Sequence, residues 1–447
     1  MKKLFGTDGI RGHAGEFPLD EKTIRSIGAS LSAQFANKLG RDPRFVCGRD
    51  TRESGAAIES AIRSGTALGD GTCESAGVIT TPGVAFLTAT HGFDAGIVIS
   101  ASHNPYQDNG LKIFLPSGKK VDDAIETHIE EDIFSGKYDG ETYPEIENTS
   151  VVTSFTADYI AHLLSEVEGT RFDGIKVVLD CANGAASEIA PAVFESLGAD
   201  VISINRTPDG RNINKDCGSL HLEDLQAKVV GAGASIGVAF DGDADRSLFV
   251  DEHGRIVDGD ATLWIMANYL KSHEMLTNSK VVATVMSNIG LEIAFRSIGV
   301  ELLRASVGDK YVLSELLDTD SEVGGEQSGH IIFPRRSLVG DGIRTALLLL
   351  RAMVEKRETL SGLTSGFTQY PQILVNVKVK EKIPFESVPE IAAAAAEIES
   401  ELHGEGRLLL RYSGTENLAR VMIEGRDQAE VEEKAGRLAD VIRNSLA

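Results

Sequence analysis

The chain has 447 residues, 42% of them hydrophobic and 25% charged, which is the composition of a soluble globular protein with length for roughly three or four domains. Its formal net charge of −23 excludes the broad basic surfaces that hold nucleic acid or anionic membranes, so a phosphorylated substrate must be met by locally clustered arginines. No run of about 18 apolar residues predicts a membrane span, and the start Met1-Lys2-Lys3-Leu4-Phe5 lacks an apolar signal core, so a cytoplasmic protein is expected. Cys47, Cys73, Cys181 and Cys217 stand far apart and read as free thiols rather than a zinc or disulfide framework.

The first feature is a compact glycine-rich loop, Gly6-Thr7-Asp8-Gly9-Ile10-Arg11-Gly12. Its Arg11 fits either a reach toward a transferring phosphoryl group or an ordinary solvated arginine. A strand follows over 44–50 and a helix over 57–67. Residues 95–99 are apolar and strand-like, and lead into Ser100-Ala101-Ser102-His103-Asn104-Pro105. Proline cannot continue regular structure, so Ser102 sits on a sharp loop at a strand end, where α/β folds meet their ligands. A serine presented there suits a nucleophile or a phosphoryl carrier, or else a turn that satisfies its own backbone. No G-x-S-x-G surrounds it, which disfavours a hydrolase elbow. His103 is its neighbour. Asp108-Asn109-Gly110-Leu111-Lys112 reads as a turn followed by a lysine, which either neutralises a phosphoryl oxygen or is solvated.

The grammar of strand, small-polar loop and helix returns at 176–184, with a helix over 186–197 whose regular part begins at Pro191. A further strand at 236–240 delivers Asp241-Gly242-Asp243-Ala244-Asp245-Arg246. Three carboxylates at alternate positions can converge on one ion, or else form a solvated acidic turn, in which without a cation they repel one another. Asp243, Asp245 and Glu252 fall where an EF-hand wants them, but Arg246 takes the place of its glycine and the flanks read as strands. Magnesium, which leaves room for phosphate oxygens, fits better, with Arg246 beside it.

A third unit begins at 281–288 and carries Gly324-Gly325-Glu326-Gln327-Ser328-Gly329-His330. Glu326, Ser328 and His330 alternate and suit a sugar's hydroxyls, or the stretch is only a turn. His330 is an acid or base near neutral pH, or a satisfied structural histidine. The last region alternates over 373–379, with a helix over 388–402, strands near 408–411 and 419–424, and a final helix from Asp427. Arg411-Tyr412-Ser413-Gly414-Thr415-Glu416-Asn417 and Arg420 form either a phosphate cradle or a hairpin turn with surface arginines. Polar breaks divide the chain into three α/β domains with mixed sheets, at 1–150, 151–253 and 254–366, and a smaller α+β domain at 367–447.

Jointly, these residues resemble the α-D-phosphohexomutase superfamily over essentially the whole chain. Gly325-Glu326-Gln327-Ser328-Gly329-His330 is similar to its glucosamine-phosphate branch, since relatives acting on mannose or glucose phosphates typically carry methionine where Gln327 stands. The resemblance implies four domains around a central cleft and interconversion of glucosamine 6-phosphate and glucosamine 1-phosphate. It implies a phosphate on Ser102, Mg²⁺ held by Asp241, Asp243, Asp245 and Ser102, and a hexose 1,6-bisphosphate intermediate. Arg11, His103, Lys112, Arg246 and His330 then serve transfer. Glu326, Gln327 and Ser328 read the sugar, and Arg411, Ser413, Gly414, Thr415 and Arg420 bind its phosphate. Also implied are a homodimer through the first domain and a product bound for UDP-N-acetylglucosamine. A phosphoglucomutase or phosphomannomutase, and a silent sugar-phosphate binder, remain as alternatives. Tyr412 and Asn417 depart from the family's commonest residues.

Overall fold

The computed structural model describes residues 4–146, 150–413 and 417–446. Its first sheet holds six strands: β1 (Phe5–Gly6), β2 (Gly9–His13), β3 (Arg44–Arg49), β4 (Thr72–Val78), β5 (Ala95–Ile99) and β6 (Asp108–Phe114), in the order β1-β2-β6-β5-β3-β4. β3 pairs in parallel with β4 and β5, whereas β6 runs antiparallel to both β2 and β5, so the sheet is mixed. Helices Glu21–Leu39 and Gly55–Leu68 supply Ile24, Ile27, Leu31, Ile58 and Ile62 to a core under Phe45, Ile97 and Leu111.

Two loops expected here are strands. The glycine-rich stretch of residues 6–12 is a hairpin, with Thr7 and Asp8 at its turn and Arg11 on β2. Gly9 is required there because a Cβ would stand 2.2 Å from the Leu111 carbonyl oxygen, and its φ is +81°. Residues 108–112 lie in β6, so Lys112 is a strand residue rather than one following a turn. The DNG sequence is absorbed by the ladder because Asn109 and Gly110 pair with Gly12 and Arg11.

The second sheet has β7 (Lys176–Asp180), β8 (Asp200–Ile204), β9 (Ile236–Phe240), β10 (Ser247–Asp251) and β11 (Ile256–Val257), in the order β11-β10-β9-β7-β8. The helix Ala186–Ser196 passes straight through Pro191 instead of starting at it. Tertiary burial outweighs the lost hydrogen bond, since Ile189, Ala190, Val193 and Phe194 are all buried on it. The third sheet has β12 (Lys280–Thr284), β13 (Glu301–Ala305), β14 (Gly324–Gly325) and β15 (Ile331–Ile332), in the order β13-β12-β14-β15. A fourth, antiparallel sheet joins β16 (Gln372–Lys378), β17 (Arg407–Tyr412) and β18 (Leu418–Glu424) in the order β16-β18-β17, with helices Pro389–Glu401 and Gln428–Leu446 packed on it.

The chain forms two compact units, one of residues 1–285 with 303–364, the other of residues 286–302 with 365–447. The architecture expected from the sequence is present: three α/β parts with mixed sheets and a smaller C-terminal α+β part. No helix among the described residues is long and apolar enough to cross a membrane. All four cysteines are free.

Candidate active site

Two strand ends meet in the larger unit. β5 ends at Ile99 and hands the chain to Ser102, which is fully buried and held in the left-handed region at φ +52°. β9 ends at Phe240 and hands it to Asp241, Asp243 and Asp245, all buried. Ser102 Oγ donates to Asp241 Oδ2 at 2.5 Å and lies 3.2 Å from His103 Nδ1. Gly242 separates the first two aspartates because its backbone crosses the serine loop: a Cβ there would be 2.5 Å from the Ser102 carbonyl oxygen.

Each aspartate of this loop offers one carboxylate oxygen within 4.8 Å of the others. Thr81 Oγ1 donates to Asp243 Oδ2 at 2.5 Å, and Lys112 Nζ donates to Asp243 Oδ2 at 2.9 Å and to Asp245 Oδ2 at 3.3 Å. That occupies one oxygen of each carboxylate. The others, Asp243 Oδ1 and Asp245 Oδ1, are buried with no hydrogen-bond partner among the described residues. Buried acceptors of this kind, in a cluster of three carboxylates, fit a hard divalent cation. Burial, and then the charges of Asp245 and Asp243, push the Asp241 carboxyl well above its usual range. Burial opposes ionisation of Asp245 as well, but Lys112 and His330 outweigh it and hold that carboxyl low. Glu252, carried off by β10, instead accepts from Ser361 Oγ, as the rejection of an EF-hand requires.

Cations surround the triad. Lys112 is 1% exposed, so it is not the solvated lysine that its sequence allowed. Its Nζ also lies 3.2 Å from Asp8 Oδ2. Burial disfavours its charge, but Asp243, Asp8 and Asp245 reverse that and raise its pKa. Arg11 pairs with Asp8. Arg246 Nη1 lies 3.3 Å from His103 Nδ1. Burial, then Arg246 and Arg11, lower His103 to about 4, so its imidazole is neutral. His330, buried, stands with Nδ1 3.6 Å from Asp245 Oδ1.

A cavity of about 400 Å³ opens beside these groups, lined by Thr7, Asp8, Arg11, Asp245, Arg246, Gly308, Asp309, Glu326 and His330. Glu326 Oε1 accepts from the Gly308 N–H at 3.0 Å, and Ser328 Oγ is 3.5 Å from Glu326 Oε2. Gln327 turns elsewhere: its Nε2 donates to Asp258 Oδ2 at 3.2 Å, and Asp258 caps the helix Gly259–Ser272.

In the smaller unit, Arg411 on β17 stands directly opposite Arg420 on β18. Like charges directly opposite one another destabilise a sheet, and an anion between them would offset that repulsion. Burial, and then Arg420, lower the Arg411 pKa. Arg420 Nη2 is 3.5 Å from Ser413 Oγ, and Arg420 Nε is buried with no partner among the described residues. Gly414 and Thr415, expected in this cradle, lie outside the described residues. Tyr412 stacks on Phe385 with centroids 4.2 Å apart, and the Asn417 carbonyl accepts from Val379 N–H, so the two departures from the family pattern are accommodated within the unit's own packing.

Sequence reasoning missed Asp8, Lys120, Thr81, Arg52 and Asn214 as site residues. Lys120 Nζ joins Asp8 to Asp309, the latter at 2.7 Å. For Arg52 a signal existed, since Asp50-Thr51-Arg52 directly follows β3 at the same sheet edge as Ser102.

A strand-end serine on a carboxylate triad, in a chain of three mixed α/β sheets and one small antiparallel sheet, is the arrangement that the resemblance to the phosphohexomutases implies. Four family descriptions match in order: Phosphoglucomutase/phosphomannomutase alpha/beta/alpha domain I over residues 2–139, domain II over 157–254, domain III over 258–370 and the C-terminal domain over 374–441. A phosphoglucosamine mutase of Solibacter usitatus is 47% identical over 445 residues, covering 100% of this chain and 99% of its own. The chain belongs to the phosphoglucosamine mutases of that superfamily. Its fold is shared by a phosphoglucomutase/phosphomannomutase family protein from Burkholderia thailandensis, at TM-score 0.79 and 24% identity over 100% of this chain and 98% of that one. It is shared too by the N-acetylphosphoglucosamine mutase of Aspergillus fumigatus solved with GlcNAc-6P and magnesium, at TM-score 0.68 and 18% identity over 100% and 96%.

Proposed function

We propose that the chain interconverts glucosamine 6-phosphate and glucosamine 1-phosphate, using Ser102 as phosphoryl carrier and a glucosamine 1,6-bisphosphate intermediate. The observation that carries this reading is Ser102 Oγ seated 2.5 Å from Asp241 Oδ2, within the carboxylate cluster that also meets Lys112. The 47% identity to a phosphoglucosamine mutase supports the amino sugar as substrate over glucose or mannose phosphates.

In the working enzyme Ser102 carries phosphate. The sugar's C1 hydroxyl attacks that phosphorus, the bond to Ser102 Oγ breaks, the hydroxyl proton leaves to a base, for which His330 is the candidate, and the serine oxygen takes up a proton; Lys112, held charged by Asp243, Asp8 and Asp245, stays a cation throughout. Arg11, Lys112 and Arg246 meet the negative charge spread over the transferring oxygens. Asp241, Asp243 and Asp245, with an oxygen on Ser102, would hold a magnesium ion, which would supply further charge neutralisation there. The neutral His103 imidazole beside Ser102 orients the serine oxygen. Glu326 and Ser328 read the sugar hydroxyls, while Gln327 acts on the same loop through Asp258. Arg411, Ser413, Thr415 and Arg420 bind the phosphate that is not being transferred. The bisphosphate then reverses, its 6-phosphate returns to Ser102, and glucosamine 1-phosphate leaves. Such a product serves UDP-N-acetylglucosamine synthesis in the cytoplasm.

Initial rates on glucosamine 6-phosphate, glucose 6-phosphate and mannose 6-phosphate, with Mg²⁺ and a bisphosphate activator, test the reading. A higher kcat/KM for the amino sugar is expected. A preference for a neutral sugar would overturn the substrate, and no activity on any of them would overturn the enzyme.

A further inference from the structure

The geometry points to Arg52 as the positioning residue that holds the Ser102 loop in the shape needed for phosphoryl transfer, with Asn214 as its counterpart from the second sheet's domain. The inference rests on Ser102 being the phosphoryl carrier.

Arg52 and Asp50 are each 1% exposed. Arg52 Nε donates to Asp50 Oδ2 at 2.9 Å and its backbone N–H to Asp50 Oδ1 at 3.0 Å. The other end of the guanidinium faces the serine loop. Nη1 donates to the Pro105 carbonyl at 2.7 Å, and Nη2 donates to the Ser102 carbonyl at 2.8 Å and the Asn104 carbonyl at 2.9 Å. Asn214 Nδ2 donates to the Ser102 and Asn104 carbonyls as well, at 2.8 and 3.1 Å. Asp50 completes the ring: its Oδ2 accepts from Ser100 Oγ at 2.6 Å, and Ser100 Oγ accepts from the Ser102 N–H at 2.9 Å.

Both backbone polar groups of Ser102 are therefore gripped, while Oγ is left to face Asp241. Ser102 has φ +52°, a conformation that side chains other than glycine adopt only where their surroundings impose it. Asp50 neutralises the Arg52 charge locally, and Arg52 does not line the substrate cavity. Arg52 thus acts on where Ser102 Oγ stands rather than on the charge of the phosphate or on sugar binding. The planar fork is essential, since a lysine ammonium cannot span Asp50 on one side and three carbonyls on the other.

The test uses the full-length protein with phosphate on Ser102, its amount measured by intact mass. The single-turnover rate of transfer to glucosamine 6-phosphate, per phosphorylated protein, is compared between wild type, Arg52→Lys and Asn214→Gly. The glycine removes both amide donors while tolerating the positive φ at that position, which is +57°. The expected result is a fall of roughly 100-fold for Arg52→Lys and a smaller one for Asn214→Gly, with KM within about twofold of wild type, because small displacements of a reacting atom cost rate far more than binding. A purely structural role would lower the yield or melting temperature of the variants but leave the rate per phosphorylated site unchanged, and that result would overturn the inference. Asn214→Gly carries the test if Arg52→Lys does not fold. Wild-type turnover without phosphate ever residing on Ser102 would overturn the functional reading itself, and this inference with it. Normal wild-type transfer with unimpaired variants would overturn only the clamp.

Discussion

Replacing Lys112 with methionine puts the electrostatics of the triad to a direct test. The side chains are similar in length, so packing changes little, but one cation disappears from among Asp8, Asp243 and Asp245. Lys112 is 1% exposed and Asp243 is as deeply buried, so water cannot replace the lost charge. Breaking a buried ion pair from one side costs about 3–5 kcal/mol, against about 0–1 for a surface pair. In a unit of this size that lowers the melting temperature by roughly 4–7 °C, at about 1.4 °C per kcal/mol. A divalent cation on Asp243 Oδ1 and Asp245 Oδ1 returns positive charge to the same carboxylates. The variant should therefore recover a large part of its loss in Mg²⁺ and gain more from Mg²⁺ than the wild type does. Thermal unfolding of both proteins at neutral pH, in chelator and in millimolar Mg²⁺, measures this. A loss below about 1 kcal/mol in chelator, or the same loss with and without Mg²⁺, would refute the reasoning.

Ser102→Ala removes the phosphoryl carrier and should abolish sustained mutase turnover while leaving the melting temperature close to wild type; steady-state assay and thermal unfolding check both. Arg420→Ala removes a charged donor from the proposed phosphate cradle, worth about 1.5–3 kcal/mol, so KM for the sugar phosphate should rise roughly 10- to 100-fold with phosphate still present on Ser102. Gly242→Ala drives a Cβ to 2.5 Å from the Ser102 carbonyl oxygen and 2.9 Å from Ile213 Cδ1, and should cut turnover by at least about tenfold. Activity of that variant at the wild-type level would mean the two loops are not packed as described.

The three aspartates were legible in the sequence because a single loop carries all of them and their strand is an uninterrupted apolar run. Ser102 was legible for the same reason, with Pro105 marking the turn. The fourth sheet and its helices followed from clean alternation and an alanine-rich helix. What the sequence hid were pairings between segments. Asp8 draws Arg11, Lys112 and Lys120 together from two strands and a loop, and Asn214 reaches Ser102 from another domain; one sequence holds no record of such contacts. Local signals misled at residues 6–12 and 108–112, where glycines suggested loops but serve close packing of strands, and at Pro191, where burial carries the helix through. Gln327 pointed to the amino-sugar branch by resemblance alone. Its amide is bonded to Asp258, so an influence on sugar choice would have to act through the loop.

The most direct test of the account follows a labelled phosphate. Protein carrying ³²P on Ser102 is mixed with unlabelled glucosamine 6-phosphate for a single turnover. Label should leave the protein, appear in the bisphosphate and then in glucosamine monophosphate, at the rate of turnover. Product formed at full rate while the label stays on Ser102 would contradict it.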